Sequence, residues 1–278
     1  MLKFLYETIL GRIILKGLTS PSFSRLCGRI ADSRVSSVFI KPFVHRNGID
    51  INEFYPKEWK CFNDCFCRRI REGLRPFDEE PSALCAPCDG HLSVYHINGK
   101  CVMPIKQSMY TIPKLLGNSE LAREFENGLC LVFRLGVDNY HRYCYFDKGR
   151  KGSNHFIPGI LHTVRPIALD KYPVFVENCR EYTVMDTENF GRAVQVEVGA
   201  MMVGRICNNH EEYSFNRGEE KGCFMYGGST IILLLKKNAV KLSEAIDGYV
   251  GTGLEISVKM GQKIGESIGV FMECDRLS

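Results

Sequence analysis

The 278-residue chain has one tryptophan, a net charge of only +4, and neither an internal repeat nor a low-complexity linker. So small a charge gives no argument for a nucleic-acid partner, and without a linker there is no boundary for a second large domain. A signal-peptide core with a small-residue cleavage site is also missing, so a reducing cytosolic compartment is expected. Thirteen cysteines suggest a metal or disulfide framework at first sight. Cys61, Cys65, Cys67, Cys85 and Cys88 include one Cys-x-x-Cys, but Cys179, Cys207 and Cys223 stand alone. The second pair of a structural zinc site is therefore absent, and no metal is expected. Several of the thiols lie among Phe and Ile and read as small apolar residues.

What is present begins with a basic N-terminus. Residues 1–46 carry Lys3, Arg12, Lys16, Arg25, Arg29, Arg34, Lys41 and Arg46 against Glu7 and Asp32 alone, a balance suited to an anionic membrane face. In MLKFLYETILGRIILK, Leu2, Leu5, Ile9 and Ile13 fall on one side at helical spacing, and Phe4 and Leu15 widen the stripe. Lys3, Glu7, Arg12 and Lys16 interrupt it, so the segment is too short and too charged to span a bilayer. It reads either as a helix lying in the membrane interface or as one packed on the protein's own core. A second helix is expected around Ser22–Ile30, and Pro56 breaks the pattern. The division expected is a helical segment over 1–60 and a larger domain over 61–278.

From about residue 84 the texture changes. Short β-branched and aromatic runs alternate with turn residues, predicting strands at His91–Ile97, Leu129–Leu135, Val174–Val176, Ala193–Val203, Thr230–Leu235 and Leu254–Val258. One helix, Ser119–Glu126, interrupts them, and Lys259–Glu266 reads as a hairpin turn. The fold class is mainly β, of α+β type.

The stretch richest in chemistry is Phe224-Met225-Tyr226-Gly227-Gly228-Ser229-Thr230, which runs into Ile231-Ile232-Leu233-Leu234-Leu235. It sets a hydroxyl nucleophile directly after two glycines, at the mouth of a buried strand. The missing side chain at Gly228 leaves its carbonyl open to attack by the Ser229 hydroxyl, an N-to-O acyl shift within one chain. Taken alone, Gly-Gly-Ser-Thr before a strand is an ordinary turn.

The surrounding residues form an ordered series that resembles the phosphatidylserine decarboxylases. The series is Phe62-Asn63-Asp64 with Arg68-Arg69 and Arg75-Pro76, then Ala86-Pro87-Cys88-Asp89-Gly90, Tyr140-His141-Arg142, Asn189-Phe190-Gly191, VEVGAMMVG over 196–204, and Lys221-Gly222-x-Phe224 leading into Gly228-Ser229-Thr230. It covers roughly residues 55 to 270 in the family's order. Where the family commonly has a second histidine, in Tyr-His-Arg-x-His, this chain has Cys144.

The resemblance implies a barrel-sandwich, hammerhead-like β core. It also implies a proenzyme that cuts itself at Gly228-Ser229 into a β chain of 1–228 and an α chain of 229–278, with Ser229 becoming a pyruvoyl group. That group condenses with the amine of phosphatidylserine, CO2 leaves, and phosphatidylethanolamine results. In this scheme Asp89 orients the base that activates Ser229, and His162 is the expected substitute for the histidine missing at Cys144. His141 returns a proton to the substrate, and Arg142 binds the substrate's phosphate. Each has a plainer reading: an Asp-Gly turn at Asp89, a strand histidine at His141, an ion pair of Arg142 with a carboxylate such as Asp138. The resemblance further implies a phospholipid substrate, a peripheral place on the cytoplasmic side of the cell membrane, and the homodimers that family members often form. Two rival functions stay open: the same pyruvoyl machinery on an aromatic amino acid or an ether lipid, and a non-catalytic carrier-like β module that never cleaves.

Overall fold

The computed structural model describes residues 2–55, 58–105, 108–201, 205–226 and 229–269. Pro56, Gly227, Gly228 and the end of the 196–204 block at Met202 to Gly204 lie outside the described residues.

The N-terminal layer is helical: α1 (Leu2–Glu7), α2 (Ile9–Leu18), α3 (Pro21–Asp32) and α4 (Ile40–Arg46), with 3-10 turns at Arg34–Phe39 and Ile51–Glu53. Thr8 interrupts the first stripe. Its backbone is extended and its hydroxyl accepts the Gly11 N–H at 3.0 Å, an N-cap placed in mid-stripe. A Cβ on Gly11 would lie 2.0 Å from the Phe4 carbonyl oxygen, so only glycine lets α1 and α2 approach this closely. Ser20 caps α3 in the same way, accepting from Phe23 N at 3.2 Å, with Pro21 in the first turn.

The break divides the apolar stripe between two environments. Leu5, Tyr6 and Leu15 are buried in the main core, whereas Ile9 and Ile13 are 75% and 63% exposed. Among the described residues, no helix is long and apolar enough to cross a membrane.

Behind these helices stands an antiparallel sheet. Its strands run in the order Tyr213–Phe215, Gly149–Lys151, Arg180–Thr187, Gly191–Val198, Ser229–Leu235, Leu129–Leu135, Gly90–His96 and Ile256–Val258, and His155–Ile157 pairs beside Arg180–Thr187. The central run Ser229–Leu235 is buried throughout, because each face meets a different core. Ile232 and Leu234 join Leu5, Tyr6 and Leu15 on the helical side, while Ile231, Leu233 and Leu235 join Leu84, Phe133 and Phe224 on the other. A strand covered on both faces needs no polar alternation, which is why its sequence is continuously apolar. Smaller sheets cover the second face: Ala83–Cys85, Lys263–Ser267 and Val240–Leu242 form one, and Ile206–Asn208, Glu220–Phe224 and Arg142–Cys144 the other. The fold is mainly β with helices, the α+β class expected.

Two local expectations are corrected. Val174–Val176 is not a strand but part of a helical turn, Val174–Glu177. The Pro173 carbonyl accepts from Val176 and Glu177, and Val174 and Phe175 are both buried. Neighbouring residues buried together suit a turn of helix better than a strand, so packing overrides the β propensity of the run. Lys259–Glu266 is not a hairpin either. Gln262 N donates to the Lys259 carbonyl at 3.0 Å, which closes a turn, but the flanking strands belong to different sheets. Ile256–Val258 pairs with Gly90–His96, and Lys263–Ser267 lies between Ala83–Cys85 and Val240–Leu242. Gly261, at φ +83°, makes this crossing where a Cβ would meet the Pro76 carbonyl oxygen at 2.4 Å.

Candidate active site

Ser229 opens the central strand and pairs across it with Leu135. Strand alternation puts its side chain on the face of Ile231 and Leu233, away from the helices. Its hydroxyl is wholly buried and has no hydrogen-bond partner among the described residues. The hydroxyl of Thr230, on the opposite face, is in the same state. An unpaired buried hydroxyl costs about 1–3 kcal/mol, a cost that stability alone does not explain.

The main chain leading to Ser229 is pinned at each step. Phe224 N donates to the His141 carbonyl at 2.9 Å, Met225 N to the Arg205 carbonyl at 3.1 Å, and Tyr226 N to Asn63 Oδ1 at 3.1 Å. His141 therefore lies beside the strand end that delivers Ser229. Its ring is buried and packs on Phe66, with centroids 4.1 Å apart, and Tyr226 stands edge-on to Phe66 and Phe62. Nδ1 of His141 is 3.0 Å from the Asn139 carbonyl oxygen. A carbonyl can only accept, so Nδ1 carries a proton.

Asp89 immediately precedes the strand Gly90–His96. His91 of that strand pairs with Arg134, next to Leu135, so Asp89 and Ser229 stand at the same end of the sheet with one strand between them. The Asp89 carboxylate is buried and clamped. Arg75 donates to both oxygens, at 2.9 and 2.8 Å, and Met260 N donates at 2.8 Å. Such a bidentate pair fixes a carboxylate in position. Cys144 lies beside this motif, with its N–H and its thiol both directed at the Pro87 carbonyl, at 2.9 and 3.1 Å. Burial holds the Cys144 thiol well above its ordinary pKa, so it is a neutral donor and not a base.

Arg142 and His162 have other commitments. Arg142 makes an ion pair with Glu220 at 2.7 Å and donates to the Cys67 carbonyl at 2.9 Å, tying three elements together. The pairing is of the kind the plainer reading expects, although the carboxylate is Glu220 and not Asp138. The ring of His162 stacks on Tyr172 at 4.4 Å and takes the Tyr6 hydroxyl on Nδ1 at 3.1 Å. Burial pushes its pKa down to about 4, outweighing the Glu177 carboxylate 3.7 Å away. Its contacts join α1 to the loop before the Arg180 strand. Ser229 and Asp89 thus stand at one end of the sheet and the His141 main chain pairs with the segment leading to Ser229, while the side chains of His162 and Arg142 are committed to Tyr6 and Tyr172 and to Glu220. Gly228, the other half of the expected cleavage site, lies outside the described residues.

Three positioning residues have no counterpart in reasoning from single residue types. Asn63 holds Tyr226 N and donates to Asp32 Oδ1 at 2.8 Å. Arg68, buried and 4.5 Å over the Phe54 ring, donates to the carbonyls of Asp138 and Asn139, the latter also holding His141. Lys221, fully buried, pairs with fully buried Glu197 at 2.8 Å and donates to Asn208 Oδ1 at 2.7 Å. Glu197 pairs with Ile231 across the sheet, so this ion pair ties the Glu220–Phe224 strand to Gly191–Val198, the neighbour of the strand that Ser229 opens. Their signal lay in the Phe-Asn-Asp, Arg and Lys-Gly blocks of the motif series, read there only as markers of family.

A buried serine at the head of a strand, a buried histidine whose main chain pairs with the segment leading to it, and an arginine-clamped carboxylate are the residue types that hydroxyl-nucleophile chemistry in a closed site calls for. Comparison with known proteins makes this specific. Residues 62–266 match the family described as phosphatidylserine decarboxylase. The chain is 47% identical to phosphatidylserine decarboxylase proenzyme 2 of Clostridium acetobutylicum over 267 residues, which cover 96% of this chain and 91% of that protein. It is 38% identical to the phosphatidylserine decarboxylase proenzyme of Ruminiclostridium cellulolyticum over 274 residues, covering 96% and 91%. With a Clostridium botulinum proenzyme of the same description the identity is 37% over 270 residues, covering 95% and 92%. The chain belongs to the phosphatidylserine decarboxylase family.

Proposed function

We propose that this chain is a phosphatidylserine decarboxylase proenzyme that cleaves itself between Gly228 and Ser229 and then converts phosphatidylserine to phosphatidylethanolamine and CO2. The observation that carries the reading is the Ser229 hydroxyl, buried and without a partner among the described residues, at the head of the family's strand. A nucleophile that attacks its own chain gains from a dry pocket, where water cannot compete for it.

His141 is the base this geometry favours for both proton transfers, in place of His162. Its imidazole takes the Ser229 proton as Oγ bonds to the Gly228 carbonyl carbon, and the Gly228–Ser229 C–N bond breaks with the proton passing to the departing amine. Loss of the residue 229 Cα proton then expels the Gly228 carboxylate, and water replaces the residue 229 nitrogen, released as ammonia, to leave a pyruvoyl group. Asp89, fixed by Arg75 and Met260 N, contributes a negative charge that favours the protonated imidazole. Once formed, the pyruvoyl group supplies the electron sink for loss of CO2. His141 holds the proton that returns to the substrate α-carbon.

The exposed Ile9, Leu10, Ile13 and Ile14, flanked by Arg12 and Lys16, support peripheral attachment to the cytoplasmic face of the cell membrane. Denaturing mass measurement of the purified protein tests the central claim. Two chains, one spanning 229–278 and blocked to N-terminal sequencing, are expected. One chain of full mass, with no CO2 released from phosphatidylserine, would overturn it.

A further inference from the structure

Helix α3 walls a cavity of about 310 Å³ whose far side is the Met225–Tyr226 segment, immediately ahead of the reactive junction. Arg25 and Arg29, one helical turn apart, line it from α3, and Arg205 lines it from the other side. Among the described residues neither Arg25 nor Arg29 has a carboxylate within ion-pair distance; Arg25 Nη2 donates to Ser22 Oγ at 2.9 Å. The one acid in the wall is Asp32, 3.9 Å from Arg205 and already accepting from Asn63 at 2.8 Å. Three guanidiniums thus face one half-satisfied carboxylate.

Two further features point to a ligand. Ser24, 1% exposed and in the same wall, has a hydroxyl with no partner among the described residues. Gly28 lies between the two arginines along the helix, and a Cβ there would meet nothing within 4 Å, so a ligand atom has an open approach to the helix backbone. Leu26 and Ile30, exposed beside this wall, extend it into the apolar surface of the N-terminal helices.

We propose that this cavity is a phosphate-binding site that takes the phosphodiester of a phospholipid. Guanidinium forks match phosphate oxygens in charge and geometry, and the Ser24 hydroxyl supplies a further donor. Apolar side chains around a cationic pocket suit a headgroup whose acyl chains lie alongside. The inference rests on the decarboxylase reading and adds a lipid-phosphate site to it. The phosphate comes either from the substrate itself or from an anionic lipid next to it.

The test compares the full-length protein with an Arg25→Gln/Arg29→Gln variant, self-processing being scored first by denaturing mass. Both are assayed on monomeric short-chain phosphatidylserine with glycerol 3-phosphate as a soluble competitor, and both are sedimented with phosphatidylglycerol vesicles. The variant is expected to process fully. If the phosphate is the substrate's, KM rises roughly ten- to a hundredfold at nearly constant kcat, the loss of about one charged hydrogen bond, and competition by glycerol phosphate disappears. If it is a neighbouring lipid's, the monomer KM holds while vesicle binding falls by a similar factor. Arg205→Gln, which leaves α3 untouched, is expected to repeat either pattern if the double variant fails to fold. Unchanged KM together with unchanged vesicle binding overturns the site, as does a defect confined to self-processing. A wild-type chain that neither cleaves nor releases CO2 strikes instead at the decarboxylase reading, and calorimetric titration of glycerol phosphate into it then decides the phosphate site separately.

Discussion

The central strand and the N-terminal helices are both rich in Leu and Ile, yet they treat them in opposite ways. Every residue of Ser229–Leu235 is buried, whereas Ile9, Leu10, Ile13 and Ile14 of α2 stand exposed. Burying a side chain of this size contributes about 1.5–3 kcal/mol, so the strand's apolar run stabilises the fold and that of α2 does not. Apolar composition therefore says little until it is known which partner covers it. In the strand the partner is two protein cores. On α2 none of the described residues covers the open face, and we propose that the membrane does.

The sharpest way to break the comparison is at the head of the strand. Ser229→Ala is expected to abolish cleavage and decarboxylation with no loss of thermal stability, because the buried hydroxyl it removes has no partner among the described residues; mass measurement, a CO2 assay and a thermal melt check this. Next, His141→Ala is expected to slow processing by roughly 10²- to 10⁴-fold, the usual contribution of a positioned base. His162→Ala is expected to process at the normal rate, and cleavage time courses of the two variants decide between the histidines. If His162→Ala stalls instead, the role returns to His162.

Effects on stability are smaller and are best measured on the uncleaved Ser229→Ala chain by urea unfolding. Lys221→Met leaves the buried Glu197 carboxylate without its cation, held only by the amides of Gln195 and Asn208, which is expected to cost about 3–5 kcal/mol. His162 provides a pH dependence whose sign follows from its lowered pKa. Folded, it titrates near 4, against 6.5 for the ordinary value, so below about pH 6.5 the unfolded chain binds a proton that the native chain refuses. Stability should fall by on the order of 2 kcal/mol between pH 7 and 4.5, and His162→Phe should flatten that slope. At the far end, Ile9→Ser with Ile13→Ser should change stability by no more than about 0.5 kcal/mol, since neither is buried, while weakening attachment to anionic vesicles. A large loss of stability there would mean that the open face of α2 is covered by protein after all.

The legible parts of this protein are those in which one short segment carries its own message. Leu129–Leu135 and the Ser229 strand were plain from local pattern, and the Gly-Gly-Ser-Thr junction was plain from its chemistry. The Val174 turn and the Lys259 crossing were misread because their outcome depends on what they pack against. Val-Phe-Val is equally at home in a strand, and a tight turn looks the same whether its flanking strands pair with each other or part.

The site divides along the same line. Sequence by itself determined the mainly β class, the family, the serine and its place before a buried strand, because motif order and apolar runs are properties of the chain. Tertiary structure decided which histidine pairs with the segment leading to that serine, since His141 and His162 are chemically identical and differ only in what surrounds them. It also decided that Arg142 is tied to Glu220, that Asp89 is held by Arg75, and that Lys221 is buried against Glu197. The physical reason is that burial and charge pairing arise between segments far apart in the chain, and no local pattern encodes the partner.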